Sequence, residues 1–144
     1  MTVIFSKKCE IGLQSVLYLS TLEREKLVNA SEVSDKLKIP KEFVAKVLQI
    51  LTDSGIVGSR KGKNGGFFLA KTASDVRLID IVLALDGPSV FNNCVLGFKG
   101  CSVSEPCPVH DHWGALRNEA YKMLSTETLE GLKNKSINKI ENIL

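Results

Sequence analysis

Between Ser6 and about Leu22, apolar residues at Leu13, Val16 and Leu17, flanked by Ile11 and Leu19, recur at helical spacing with no proline among them. This pattern predicts a first helix. Ala30, Val33 and Leu37 form a shorter apolar stripe that ends near Lys38, and Ser31 and Ser34, with Glu32 and Asp35 between and beyond them, suit the opening turn of a second helix. Pro40 fits the first turn of a third, where a missing N–H costs nothing. Its core face is Val44, Val47, Leu48 and Leu51, and Gly55 stops it. Two short runs, Ile56 to Arg60 and Gly66 to Ala70, read as strands around the glycine-rich turn Lys61-Gly62-Lys63-Asn64-Gly65. Helical spacing returns from Val76 to Asp86, with Ser74 and Asp75 as capping candidates and Gly87-Pro88 as the stop. Two further helices are expected from Trp113 to Leu124 and from Thr126 to Leu144, the latter carrying Leu129, Leu132, Ile137, Ile140 and Ile143.

The turn between the second and third helices is only about Lys38 to Ile39, so the pair forms a helix-turn-helix, and the strand pair after it has the shape of a wing. The fold expected is mainly α with a small β wing: a winged helix-turn-helix followed by C-terminal dimerisation helices. Its divisions would be residues 1–87 for DNA binding, 88–112 for a cysteine-rich loop and 113–144 for pairing. The third helix would turn Lys41, Glu42, Ala45, Lys46 and Gln49 outward, toward phosphates or base edges of double-stranded DNA, while Phe43 is expected in the core or at a hinge. Arg60, Lys61 and Lys63 would serve from the wing. One winged helix covers only a short half-site, so a homodimer is expected, with the long C-terminal apolar stripes as its interface.

Charge supports this division. The 144 residues carry a net charge of +3, but residues 1–72 hold 12 basic and 7 acidic side chains while residues 73–144 hold 7 and 9. Ser54 to Ser74 contains Arg60, Lys61, Lys63 and Lys71 with no acidic residue, a local field suited to phosphate. No apolar run approaches the roughly 20 residues that a bilayer span needs, and a secretory signal pattern is missing, so a cytoplasmic protein without a membrane partner is expected.

Four cysteines are too few for a disulfide scaffold, and three of them crowd into one stretch: Cys94, Cys101 and Cys107, separated by six and five residues, with His110 three positions further on. Thiolates are soft ligands for zinc or iron-sulfur clusters. Gaps this long, loosened by Gly97, Gly100 and Pro106, suit wrapping a cluster better than the tight knuckles of a tetrahedral zinc site. The fourth ligand stays open on spacing: His110 is nearest, His112 follows, and Glu10 or Cys9 on the first helix are further candidates. No catalytic constellation or nucleotide-phosphate loop accompanies these groups, so no enzyme is expected.

Taken together, Phe5 to Leu13, the helix-turn-helix, the wing Lys61 to Ala70, the segment Leu78 to Gly87 and the three-cysteine loop ending Cys107-Pro-Val-His110-Asp-His-Trp113 resemble the Rrf-two family of bacterial transcription regulators over nearly the whole chain. The resemblance implies a dimeric winged-helix protein whose cluster, where present, tunes DNA binding. It aligns Cys94, Cys101 and Cys107 with the family's cluster cysteines and His110 with the fourth ligand of IscR-like members, whereas Glu10 aligns with the acidic ligand of NsrR-like members. With His110 a 2Fe-2S centre is expected, with Glu10 a 4Fe-4S centre. The first cysteine gap is six residues where IscR-like loops usually have five, and Lys61 stands where an arginine commonly reads DNA. CymR-like members carry no cluster, which leaves a thiol-responsive or partner-regulated repressor as the alternative function.

Overall fold

A computed structural model of the chain describes residues 5–98, 104–133, 135 and 138. The first helix, α1, runs Lys7–Ser20. Ser6 starts it, its hydroxyl accepting the N–H of Cys9 at 3.1 Å. Helix α2 spans Ala30–Leu37 and opens two residues earlier than a cap at Ser31 suggests, because Asn29 and Glu32 close a reciprocal cap. Asn29 Oδ1 accepts from the Glu32 N–H at 2.9 Å, and Glu32 Oε2 from the Asn29 N–H at 2.7 Å. Lys38 ends the helix in the left-handed region, at φ 58°. After Ile39 and Pro40 the chain enters α3, Lys41–Asp53, which buries Val44, Val47, Leu48 and Leu51, the face expected from spacing.

The wing consists of β1, Val57–Arg60, paired antiparallel with β2, Gly66–Leu69, in the register Val57 to Leu69 and Arg60 to Gly66. Gly65 is required in its turn: a Cβ there would stand 2.0 Å from the Arg60 carbonyl oxygen. Phe67 also exchanges backbone hydrogen bonds with Val28, which ties the wing to the segment before α2. A short 3-10 turn, Ala73–Asp75, replaces the cap expected from Ser74 and Asp75, since Asp75 instead accepts from the Thr72 hydroxyl at 2.6 Å. Helix α4 therefore starts later, at Leu78–Asp86, where Asp80 accepts the Arg77 N–H at 2.9 Å.

Helices α1, α3 and α4 enclose the core, and α1 packs tightly on α4 at Gly12, where a Cβ would fall 2.1 Å from the Leu85 Cδ1 methyl. A second 3-10 turn, Pro88–Phe91, leaves α4 toward the cysteine loop. Helix α5, His110–Thr126, begins three residues before the expected Trp113, so that His110 and His112 sit in its first turn. Beyond it the chain docks on the strand-like start of α4, with the Leu78 N–H on the Glu127 carbonyl and the Leu129 N–H on the Val76 carbonyl. Helical structure resumes at residue 129. Leu124 and Leu129 plug the core there, while Ile137, Ile140 and Ile143 lie outside the described residues. No helix among the described residues is long and apolar enough to cross a membrane.

Candidate functional site

On α3 the side chains of Lys41, Glu42, Lys46 and Gln49 all stand in solvent, and the Gln49 amide donates to Asp53 Oδ1 at 3.3 Å. Two expectations for this helix are corrected. Ala45 is half-buried against the core, because it neighbours the Val44 and Leu48 stripe. Phe43 belongs neither to the core nor to a hinge: it is 57% exposed, since the core face is filled by residues 44, 47, 48 and 51. On the wing, Lys61 and Lys63 are exposed at the turn, and the Arg60 guanidinium lies 5.7 Å over the Phe68 ring, which fixes its direction.

Folding adds lysines that spacing alone did not select. Lys7 and Lys8 from the start of α1 and Lys38 from the turn before α3 line one hollow of about 450 Å³ together with Lys46 and the apolar Ile11, Pro40 and Val47, and Phe43 also lines it. Their signal in the sequence is only a doublet and a single lysine thirty residues further on. Four lysine side chains bordering one depression, of which Lys7 is paired with Glu10, make a net-basic surface suited to phosphate and continuous with the outward face of α3.

The second cluster lies between the turn after α4 and the start of α5. Cys94 and Cys107 bring their Sγ atoms to 3.2 Å, and both line a hollow of about 130 Å³ with Asn92, His110, Trp113 and Arg117. Helix α5 fixes the chain leading into it. Trp113 Nε1 donates to the Asn93 carbonyl at 3.0 Å, Arg117 Nη1 to the Phe91 carbonyl at 2.6 Å, and the Phe91 ring meets Tyr121 edge-on at 5.0 Å. The His110 N–H donates to the Cys107 carbonyl at 3.0 Å. Cys101 lies outside the described residues, and among those described no three ligand-type side chains close into a metal-holding group.

The donor set nevertheless fits a thiolate-held cluster in kind. Two thiols converge, an imidazole shares their hollow, and Arg117 keeps a buried Nε with no hydrogen-bond partner among the described residues, a positive group suited to an anionic centre. Glu10 does not line this hollow within one chain; it pairs with Lys7 at 3.4 Å on α1. His112 is exposed on the first turn of α5. Cys9 is a core thiol, fully buried, and that burial together with the nearby Asp86 and Glu10 carboxylates pushes it up to about 12; it does not line this hollow.

Known proteins match this architecture closely. Against solved structures, the chain superposes on CymR, the global cysteine regulator of B. subtilis, with a TM-score of 0.75 at 20% identity, covering 93% of this chain and 98% of that one. The corresponding values for IscR of T. potens are 0.70 and 21%, with 91% and 86% covered. These likenesses establish the winged-helix fold. A protein of Aquifex aeolicus strain VF5, described as an HTH-type transcriptional regulator, is 34% identical over 134 residues, 92% of each chain. The model of the Rrf2 family, described as iron-dependent transcriptional regulators, matches residues 5–135. With that span and that identity, the chain belongs to the Rrf2 family of DNA-binding transcription regulators.

Proposed function

We propose that this regulator acts as a homodimer, that α3 enters the major groove while the wing rests on adjacent backbone, and that Cys94, Cys101 and Cys107 with His110 hold an iron-sulfur cluster whose state sets operator affinity. On DNA, Lys41, Lys46, Arg60, Lys61 and Lys63 meet phosphates and base edges, and Glu42 and Gln49 offer an acceptor and an amide to bases. The single observation that carries the sensing half is the 3.2 Å convergence of Cys94 and Cys107 beside His110, at the start of α5. A bound cluster supplies a redox-active centre whose potential follows its ligands, hydrogen bonds and charge.

The chain's own residues supply the transmission. Trp113 and Arg117 hold the backbone of residues 91–93, so any rearrangement of Cys94 and Cys107 loads α5, the helix assigned to pairing. A shift there changes the spacing of two recognition helices, with a coupling of about 1 to 3 kcal/mol in DNA affinity. The cytoplasm is the matching compartment, since duplex DNA and reduced thiols occur together there.

Anaerobic loading with iron and sulfide should give a brown protein with stoichiometric iron, and a Cys94→Ala, Cys107→Ala variant should stay colourless. Operator affinity should then differ between loaded and stripped wild-type protein. A colourless, iron-free wild type would remove the sensing half and leave the second reading, a cluster-free regulator acting through thiol oxidation. That reading draws on the same pair, because two sulfurs at 3.2 Å are also poised for a disulfide.

A further inference from the structure

Phe43 is the anomaly of the DNA-binding face. It is a large ring, 57% exposed, in the first turn of α3, flanked by Glu42 and followed one turn later by Lys46. Leaving such a ring in water forgoes the stabilisation that burying it would give. The first turn is also where a recognition helix comes nearest to base edges in the major groove. Around Phe43, the side chains of Lys7, Lys8, Lys38 and Lys46 help line one hollow of about 450 Å³, with Lys7 also paired to Glu10.

An apolar ring beside a net-basic set of lysine side chains matches a particular chemistry. Phosphates satisfy the cations, and the C5 methyl of thymine is the apolar group that the major groove presents to a ring. An acidic protein segment would suit the lysines, but nothing in the position of Phe43 at the head of the recognition helix calls for one. We infer that Phe43 is a specificity-determining residue that reads thymine methyl groups in the operator, while Lys7, Lys8 and Lys38 hold the flanking phosphates. This rests on the placement of α3 in the major groove.

The test uses full-length protein and the duplex it selects from a random library. Each thymine of that duplex is replaced in turn by deoxyuridine, which deletes the methyl and keeps the hydrogen-bonding edge. At one or more positions the wild type should lose about fourfold in affinity, the worth of one buried methyl. Phe43→Ala should bind the paired duplexes alike, and Phe43→Leu should keep part of the discrimination. Lys8→Ala should weaken both duplexes equally and lower the salt slope by about one. Because Phe43 fills no core space, thermal unfolding of Phe43→Ala should match that of the wild type.

Equal wild-type binding to every deoxyuridine duplex, or a methyl penalty that survives in Phe43→Ala, overturns the inference. Altered self-association in Phe43→Ala with methyl discrimination intact would assign the ring to a second copy and overturn it too. Failure to select any duplex above nonspecific background is a different result: it removes the placement of α3, and the inference with it.

Discussion

Asp86, the last residue of α4, accepts hydrogen bonds from both the backbone N–H and the hydroxyl of Ser6, the residue that caps α1; the N–H bond measures 2.8 Å. One carboxylate thereby joins the start of the helix that carries Lys7 and Lys8 to the end of the helix that leads, through Gly87 and Pro88, to Cys94. The link connects the phosphate-seeking hollow with the thiol pair inside a single chain. Ser6→Ala removes the cap and half of the bridge and should cost about 1 to 2 kcal/mol in urea unfolding. In the same variant the difference in operator affinity between cluster-loaded and stripped protein should shrink. A difference equal to that of the wild type would show that coupling runs through α5 alone.

Cys9 gives the protein an alkaline weakness. Burial, with Asp86 and Glu10 beside it, raises the thiol from its ordinary 9.0 to about 12 in the folded state. Between those values the unfolded chain releases the proton and the folded chain retains it, so the unfolded state binds fewer protons and stability falls as pH rises. The contribution is whole below about pH 9 and declines above it. Urea midpoints should therefore fall more steeply above about pH 9 for the wild type than for Cys9→Ala, which has no thiol to ionise. Parallel pH profiles for the two proteins would contradict the assignment. In native protein at neutral pH, Cys9 should also resist alkylation until the chain unfolds.

Much of this fold was legible in residue order, and the exceptions share a cause. The stripe Val44, Val47, Leu48 and Leu51 and the turn Lys61 to Gly65 specified α3 and the wing, because helical periodicity and glycine-dependent turns are local properties. Caps were harder: Asn29 outcompeted Ser31 because Glu32 could return the bond, a choice between neighbouring polar residues that only geometry decides. Phe43 was misplaced because an apolar residue is ordinarily buried, and no local pattern announces one kept outside for a ligand. At the candidate site, cysteine spacing marked the loop but could not say which sulfurs meet. The lysines at 7, 8 and 38 converge only once α1 crosses the α2–α3 turn.

The thiol pair makes a prediction that holds without any metal. Reduced, metal-stripped protein treated with the two-electron oxidant diamide should lose two thiol hydrogens to the diazene and form the Cys94–Cys107 disulfide, since sulfurs at 3.2 Å need little movement to reach bonding distance. Peptide mapping should recover that pair cross-linked, and Cys101→Ala should leave the cross-link in place. Cross-linking through Cys101 in its stead would mean that the pair seen here is not the one that first meets in solution. Cys9, buried and protonated, should be recovered unmodified.

Among the described α-helices, α5 buries the smallest share of its residues. Of its seventeen residues only Leu124 is buried, whereas Leu116, Tyr121 and Met123 are 60%, 47% and 52% exposed. Leu116 and Met123 are seven positions apart and hence share one face, with Ala120 between them. Apolar side chains at this spacing and exposure suit the seam of the proposed dimer, which a second copy of the same helix would cover. Leu116→Lys combined with Met123→Lys places like charges on both sides of such a seam and removes nothing from the core. Sedimentation should accordingly change from dimer to monomer while the thermal unfolding of each chain's core persists, and operator affinity should drop because two half-sites are no longer bound together. A double variant that sediments as the wild type does would take α5 out of the interface and leave its exposed stripe to another partner.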